Sequence, residues 1–195
     1  STSEGKAVLS GSGITYGFNV GVFSTLVDND QMKLTLGADY RSGQSINLDN
    51  GVAKFTDIPV SLQGTFPAET NFTGKLNLPS VITAGFAYQY NINENNSITL
   101  VYDFNYTGWS SYDTLAFDFE NADTPDSKTT KAWANSPTHR FGIEYALNEM
   151  FFFRAGGYYD ITPVQDGFVS PELPDATQFV PTFGFGMQIG DHFAF

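Results

Sequence analysis

The sequence predicts an all-β fold, the wall of an antiparallel transmembrane β-barrel. Three observations carry that prediction: apolar and polar residues alternate in tract after tract, the connections are alternately short and long, and tyrosines gather at the tract ends. Alternation with a period of two means a strand whose two faces meet different surroundings.

The first tract sets Ile14, Tyr16, Phe18, Val20 and Val22 against Thr15, Gly17, Asn19, Gly21 and Phe23. After Asp28-Asn29-Asp30, a turn by composition, Met32, Leu34, Leu36, Ala38 and Tyr40 alternate with Lys33, Thr35, Gly37, Asp39 and Arg41. The design repeats from Ile82 to Tyr90, from Ile98 to Thr107, from Arg140 to Ala146, from Phe151 to Asp160 and from Thr182 to Ile189. About seven strands of one polarity are expected. Tyr40, Tyr88, Tyr90, Tyr106, Tyr145 and Tyr159 fall toward strand ends on the apolar face, where an amphipathic ring suits the headgroup level of a bilayer.

Short links are expected near Val27 to Gln31, Asn91 to Ser97, Leu147 to Glu149 and Gly190 to His192, and long ones over Ser42 to Lys75, Ser110 to Pro137 and Thr162 to Gln178. Outer-membrane barrels have this asymmetry, short turns on the periplasmic side and long loops outside. A soluble β-sandwich also alternates, but has no reason to sort its loops by length. A small eight-stranded barrel is a further alternative.

The totals agree. Aromatic residues make up 16% and charged residues 15%, a strand-rich balance. Mean hydropathy is -0.18, and no stretch approaches the roughly 20 apolar residues of a membrane helix; in barrel strands the two faces cancel in the mean. Cysteine is absent, which removes disulfides and thiolate sites. A net charge of -12 with nine Lys and Arg argues against nucleic acid. His139 and His192 lie far apart without a nucleophile beside either, so no catalytic constellation is expected. His139 reads as a solvated residue at the loop end of a strand, and no metal or cofactor is expected.

With the strands placed, the tracts between them resemble the FadL/TodX family of outer-membrane transporters of long-chain fatty acids and other hydrophobic compounds. The resemblance rests on Tyr16-Gly17-Phe18-Asn19-Val20-Gly21-Val22 with Tyr40-Arg41-Ser42, Leu78-Pro79, and Thr107-Gly108-Trp109-Ser110-Ser111-Tyr112. It continues through Arg154-Ala155-Gly156 with Tyr158-Tyr159-Asp160, Pro163-Val164 and Leu173-Pro174-Asp175. These occur in family order from about residue 13 to 195. The resemblance implies a Gram-negative outer membrane and a fourteen-stranded barrel holding an N-terminal plug, with a kinked strand opening a lateral gap. Residues 1–195 would then be a partial barrel domain, the sixth through twelfth strands, without plug, early strands or final strands. Phe193-Ala194-Phe195 would begin the next strand, too short to span the about 9 to 11 residues a bilayer needs.

On the polar face Asp39, Arg41, Asp103, Arg140, Glu144, Arg154 and Asp160 are the charged positions, and Phe23, Phe152 and Tyr158 the aromatic exceptions. Phe23, Arg41, Arg140, Phe152, Arg154 and Tyr158 are therefore the candidate ligand-binding residues of the lumen, cations for a carboxylate and rings for an apolar tail. The alternative is that the charges pair with one another or with a plug. Ile46, Leu48, Val52, Phe55, Ile58, Val60, Leu62, Phe66 and Phe72 are expected in an outer loop, as an exposed apolar groove or a hairpin extended beyond the membrane. Asp113, Asp118, Glu120, Asp123 and Asp126 fit no cation-loop spacing and read as solvated, with cation sharing at a lipopolysaccharide surface as the alternative. The partners implied are membrane lipid, lipopolysaccharide and a hydrophobic ligand such as a fatty acid. A non-transporting scaffold in a larger secretion or surface-attachment complex is the competing function.

Overall fold

The computed structural model describes residues 5–148, 150–171 and 174–189, and the backbone of 193–194. In chain order the strands are β1 (Lys6–Ser10), β2 (Asn19–Asp28), β3 (Met32–Arg41), β4 (Gln44–Thr56), β5 (Glu69–Leu78), β6 (Val81–Asn93) and β7 (Asn96–Thr107). They continue with β8 (Thr114–Phe119), β9 (Ser127–Thr130), β10 (Ser136–Leu147), β11 (Phe151–Asp160), β12 (Gln178–Ile189) and β13 (Phe193–Ala194). Glu149, Leu173, Phe195 and the expected turn at Gly190 to His192 lie outside the described residues.

The strands form two sheets. One has the order β13-β12-β11-β10-β7-β6-β3-β2, every neighbouring pair antiparallel. Its seven long strands, β2, β3, β6, β7, β10, β11 and β12, have 10 to 13 residues, enough to cross hydrocarbon at a tilt. No helix among the described residues is long and apolar enough to cross a membrane. The sheet curls into a partial barrel that stays open, since β2 and β13 do not pair; a small closed eight-stranded barrel is thereby set aside.

β3 and β11 coincide with the expected tracts. The first strand differs: it starts at Asn19 rather than Ile14 and runs on to Asp28. Its partner β3 ends at Arg41, opposite Asn19, so earlier residues find no ladder there. Phe18 closes the pairing by donating its N–H to Ser42 Oγ at 2.9 Å while its carbonyl accepts from the Ser42 N–H. Ile14 and Tyr16 are left exposed. Leu26 is the extra residue of a bulge between Thr25 and Val27, which ends the strand with added twist.

The periplasmic ends are short turns tied sideways to one another. Asn91 Nδ2 donates to the Asp30 carbonyl at 2.8 Å, and the Asn148 N–H donates to Asn96 Oδ1 at 3.0 Å. Asn148 has φ 53°, a conformation that asparagine tolerates better than most side chains.

The second sheet, β1-β4-β5-β8-β9, is built from two of the long outer links and, through β1, from the segment before β2. Part of this was expected, since alternation in 42–75 suggested an extended hairpin; β1, β8 and β9 were not. The apolar residues there form a core rather than an exposed groove. Ala53, Phe55 and Phe72 are buried, with Leu48, Ile58, Phe66, Phe117 and Phe119 packed on them. Phe72 meets Phe117 edge-on at 5.3 Å between ring centroids, and Gly51 lies directly under the Phe72 ring, where any Cβ would collide with it. Only Val60 and Leu62 of the anticipated groove residues stay strongly exposed. Their neighbours were hidden by contacts distant in sequence, which alternation does not report.

Phe72→Ala is expected to remove about 3–5 kcal/mol from this outer sheet. On intact cells trypsin should then cut at Lys54 and Lys75 faster, while the membrane wall keeps its heat-modifiable gel migration. Unchanged cleavage would show that Phe72 is not the anchor of that core.

Candidate lumen lining

Antiparallel register places side chains of alternate residues in rows across the wall. On the polar face, which lines the lumen of a barrel, the row nearest the outside holds Arg41, Val81, Thr107 and Ser136. The next holds Asp39, Thr83, Asn105, Thr138 and Asp160. Below them run Phe23, Gly37, Gly85, Asp103, Arg140, Tyr158 and Val180 in one line. A row of small or uncharged residues follows, Thr25, Thr35, Ala87, Val101, Gly142, Gly156 and Thr182. Then come Lys33, Gln89, Thr99, Glu144, Arg154 and Gly184. Gly85 is required by packing: a Cβ on it would stand 2.7 Å from the Tyr102 carbonyl oxygen.

The structure therefore brings together three of the expected site residues, Phe23, Arg140 and Tyr158, in one row, with Arg140 and Tyr158 direct cross-strand partners. Phe23 sits on the edge strand, 78% exposed, its ring beside Gly37. Arg41 is at the rim, two rows above, and has no ion pair among the described residues. Arg154 lies two rows below, its guanidinium 5.5 Å from the centre of the Phe152 ring, a cation–π contact.

Among the described residues, three of the four cations of the polar face, Lys33, Arg140 and Arg154, are paired with carboxylates. Arg140 Nη1 donates to Asp103 Oδ1 at 2.8 Å across β7 and β10, and Arg154 Nε donates to Glu144 Oε2 at 2.5 Å across β10 and β11. Lys33 meets Asp28 at 3.0 Å. Asp160 accepts from Thr138 Oγ1 at 2.6 Å.

Of the cavities that open on this face, two lie at its ends. At the outer mouth a space of about 470 Å³ lies among Trp109, Trp133, Pro163, Val164, Asp160 and Asp175. The two indoles meet edge-on at 5.1 Å, with Tyr112 at 5.2 Å from Trp133. Sequence reasoning missed this cluster, although both tryptophans of the chain flank one long link. At the periplasmic end a space of about 1070 Å³ is lined mainly by amides, among them Gln31, Gln89, Asn91, Asn93, Asn96 and Asn148, with Phe152 at its edge.

His139 departs from expectation. It is half-buried on the lipid face, its Nδ1 2.8 Å from the Tyr102 hydroxyl and its ring 5.2 Å from that of Phe104. It is held by ring neighbours rather than solvated. Of the outer acids, Asp126 accepts the Phe119 N–H at 2.8 Å and Glu120 accepts from Asn71 Nδ2 at 2.7 Å; they brace the outer sheet. Among the described residues no group of three or more His, Cys, Asp or Glu is placed to hold a metal ion.

Comparison with known proteins places this geometry. A family model described as "Outer membrane protein transport protein (OMPP1/FadL/TodX)" matches residues 1–194. A solved structure, the crystal structure of a Pseudomonas aeruginosa FadL homologue, superimposes with a TM-score of 0.69 at 18% sequence identity. The match covers 91% of this chain and 41% of that one, so the chain spans well under half the length of that structure. At that identity the likeness is one of fold. No curated protein matches.

Both lumen pairs are half-exposed, so their contribution to stability is expected to be small. A double-mutant cycle of Asp103→Asn and Arg140→Gln, read from urea unfolding in detergent or lipid, should give a coupling of no more than about 1 kcal/mol. A much larger value would mean the pair is desolvated in the assembled wall.

Proposed function

Because the chain belongs to the FadL/TodX family of outer membrane transport proteins, we propose that it forms part of a channel wall through which hydrophobic small molecules cross the outer membrane passively. Long-chain fatty acids and other hydrophobic compounds are the classes that the sequence resemblance suggests. The observation that supports this most directly is a mouth cavity whose apolar side is built by Trp109, Trp133, Pro163 and Val164 and whose polar side includes Arg140 and Asp160, with a row of small residues further down the wall.

A molecule that partitions from water onto the indoles gains about 25 cal/mol per Å² of apolar surface covered. Beneath the mouth the wall carries a row without large or charged side chains, Thr35, Ala87, Val101, Gly142, Gly156 and Thr182. Small residues leave room for cargo, and their hydroxyls and backbone hold it only weakly, so it can leave again. Downhill flow needs no more than this.

Lipid does not tolerate an unpaired strand edge, and β2 presents one, as does β12 beyond its short pairing with β13. In this reading further strands of a FadL-like barrel cover both, a plug fills the lumen, and Phe23 and Phe152 face that plug or the cargo. Cargo then leaves sideways into the bilayer, as the resemblance implies.

Deleting the gene and restoring it provides the test. Cells with the restored gene should accumulate labelled apolar probes, alkylbenzenes or long-chain alcohols, several-fold faster than deleted cells. Restoring it with Trp109→Ala and Trp133→Ala together should lower the rate at low probe concentration more than at saturation. Equal accumulation with and without the gene, alongside lost secretion of a surface protein, would replace the transporter by the scaffold.

A further inference from the structure

Resting on that transport reading, we propose that Asp103 and Glu144 set the charge of the cargo. Each neutralises the lumen arginine across from it, Arg140 and Arg154, so that the wall passes uncharged hydrophobic molecules and disfavours carboxylates.

Three observations lead there. First, both arginines of the inner wall are already bound to a carboxylate, at 2.8 Å and 2.5 Å. A ligand carboxylate approaching Arg140 meets a guanidinium whose charge Asp103 already offsets, and must compete with that carboxylate for it. The two oxyanions make equivalent charge-assisted bonds, but Asp103 is tethered in register opposite Arg140 and acts at a far higher effective concentration than a diffusing ligand. Arg154 is occupied twice, by Glu144 and by the Phe152 ring.

Second, what is left over on the wall is negative. Asp39 and Asp160 share the row above Arg140 and have no cationic partner among the described residues; Asp160 takes only a neutral hydroxyl donor. Lys33, the remaining cation of the inner rows, is paired with Asp28. The repulsion such a wall exerts on an anion grows wherever water is excluded beside it.

Third, the cations without a carboxylate partner among the described residues stand elsewhere. Lys6, Lys75 and Lys128 lie on the outer sheet, Lys131 on the link between β9 and β10, and Arg41 on the outermost row of the wall. Those that are exposed stand at or above the mouth and not in the rows below it. The small row at Gly142 and Gly156, between the two ion pairs, is then a neutral step flanked by neutralised ones.

The measurement is a ratio. Cells carrying the restored full-length gene are given hexadecan-1-ol and hexadecanoate, equal in chain length, at about pH 8, where a free carboxyl of ordinary pKa about 4 is ionised. Gene-dependent uptake should favour the alcohol by roughly tenfold, and Asp103→Asn or Glu144→Gln, each freeing one arginine, should move the ratio toward the carboxylate by a comparable factor. The single variants are read separately, so that one failing to reach the membrane leaves the other to carry the test. A wild-type ratio that favours hexadecanoate, or a ratio that neither variant moves, overturns the proposal and leaves transport standing. Uptake of neither probe overturns the transport reading and this one with it.

Discussion

Hydrocarbon offers no hydrogen-bond partner, so each backbone N–H and C=O within it must be met by a neighbouring strand. That constraint fixes the wall from which everything else follows. Seven long strands pair in sequence order, apart from the two inserted hairpins, and each pair is antiparallel over nearly its whole length. A slip of one residue would turn Lys33, Glu144 and Arg154 into lipid and Leu34, Ile143 and Phe153 into water. The register is further pinned at the periplasmic ends, where Asn91, Asn96 and Asn148 tie each turn to the next.

A fixed register determines which charges can meet. Asp103 and Arg140 are 37 residues apart in sequence yet directly opposed, and Glu144 and Arg154 are opposed across the adjacent seam. Half-exposed pairs of this kind add little to stability. Their consequence is electrostatic: among the described residues they offset the arginines of the inner rows, as Asp28 offsets Lys33. Backbone geometry and the charge of the inner face are thereby linked through one set of strand pairings.

The same logic explains what the sequence disclosed and what it withheld. Met32–Arg41 and Phe151–Asp160 were legible end to end because lipid and lumen mark every residue of a wall strand as apolar or polar. Ile14 to Phe18 alternate just as well, but β3 has ended and no ladder receives them, so alternation there has no strand to report. β1, β8 and β9 are short and owe their existence to partners far along the chain. For the lumen residues, sequence gave the face of Arg140 and Arg154 and left the partner open, because face depends on parity and partner on register. The mouth cluster of Trp109, Tyr112 and Trp133 depends on how one long link folds back on itself, which no local pattern encodes.

The two sheets are held by the hydrophobic effect acting in opposite directions. β3 pairs directly with β6, and β7 with β10, up to Arg41 opposite Val81 and Thr107 opposite Ser136. The β4–β5 and β8–β9 hairpins therefore leave the wall at its rim without disturbing it. Above the rim Phe55 and Phe72 are buried away from water in a core of their own. Within the wall Phe141, Phe153 and Phe183 point outward and are exposed, which lipid makes favourable rather than costly. Removing a phenylalanine above the rim opens a cavity in a water-surrounded core, whereas removing one on the wall trades a ring for acyl chains of similar polarity. The outer sheet can thus loosen or be remodelled while the register below, and the charge pairing it enforces, stays as it is.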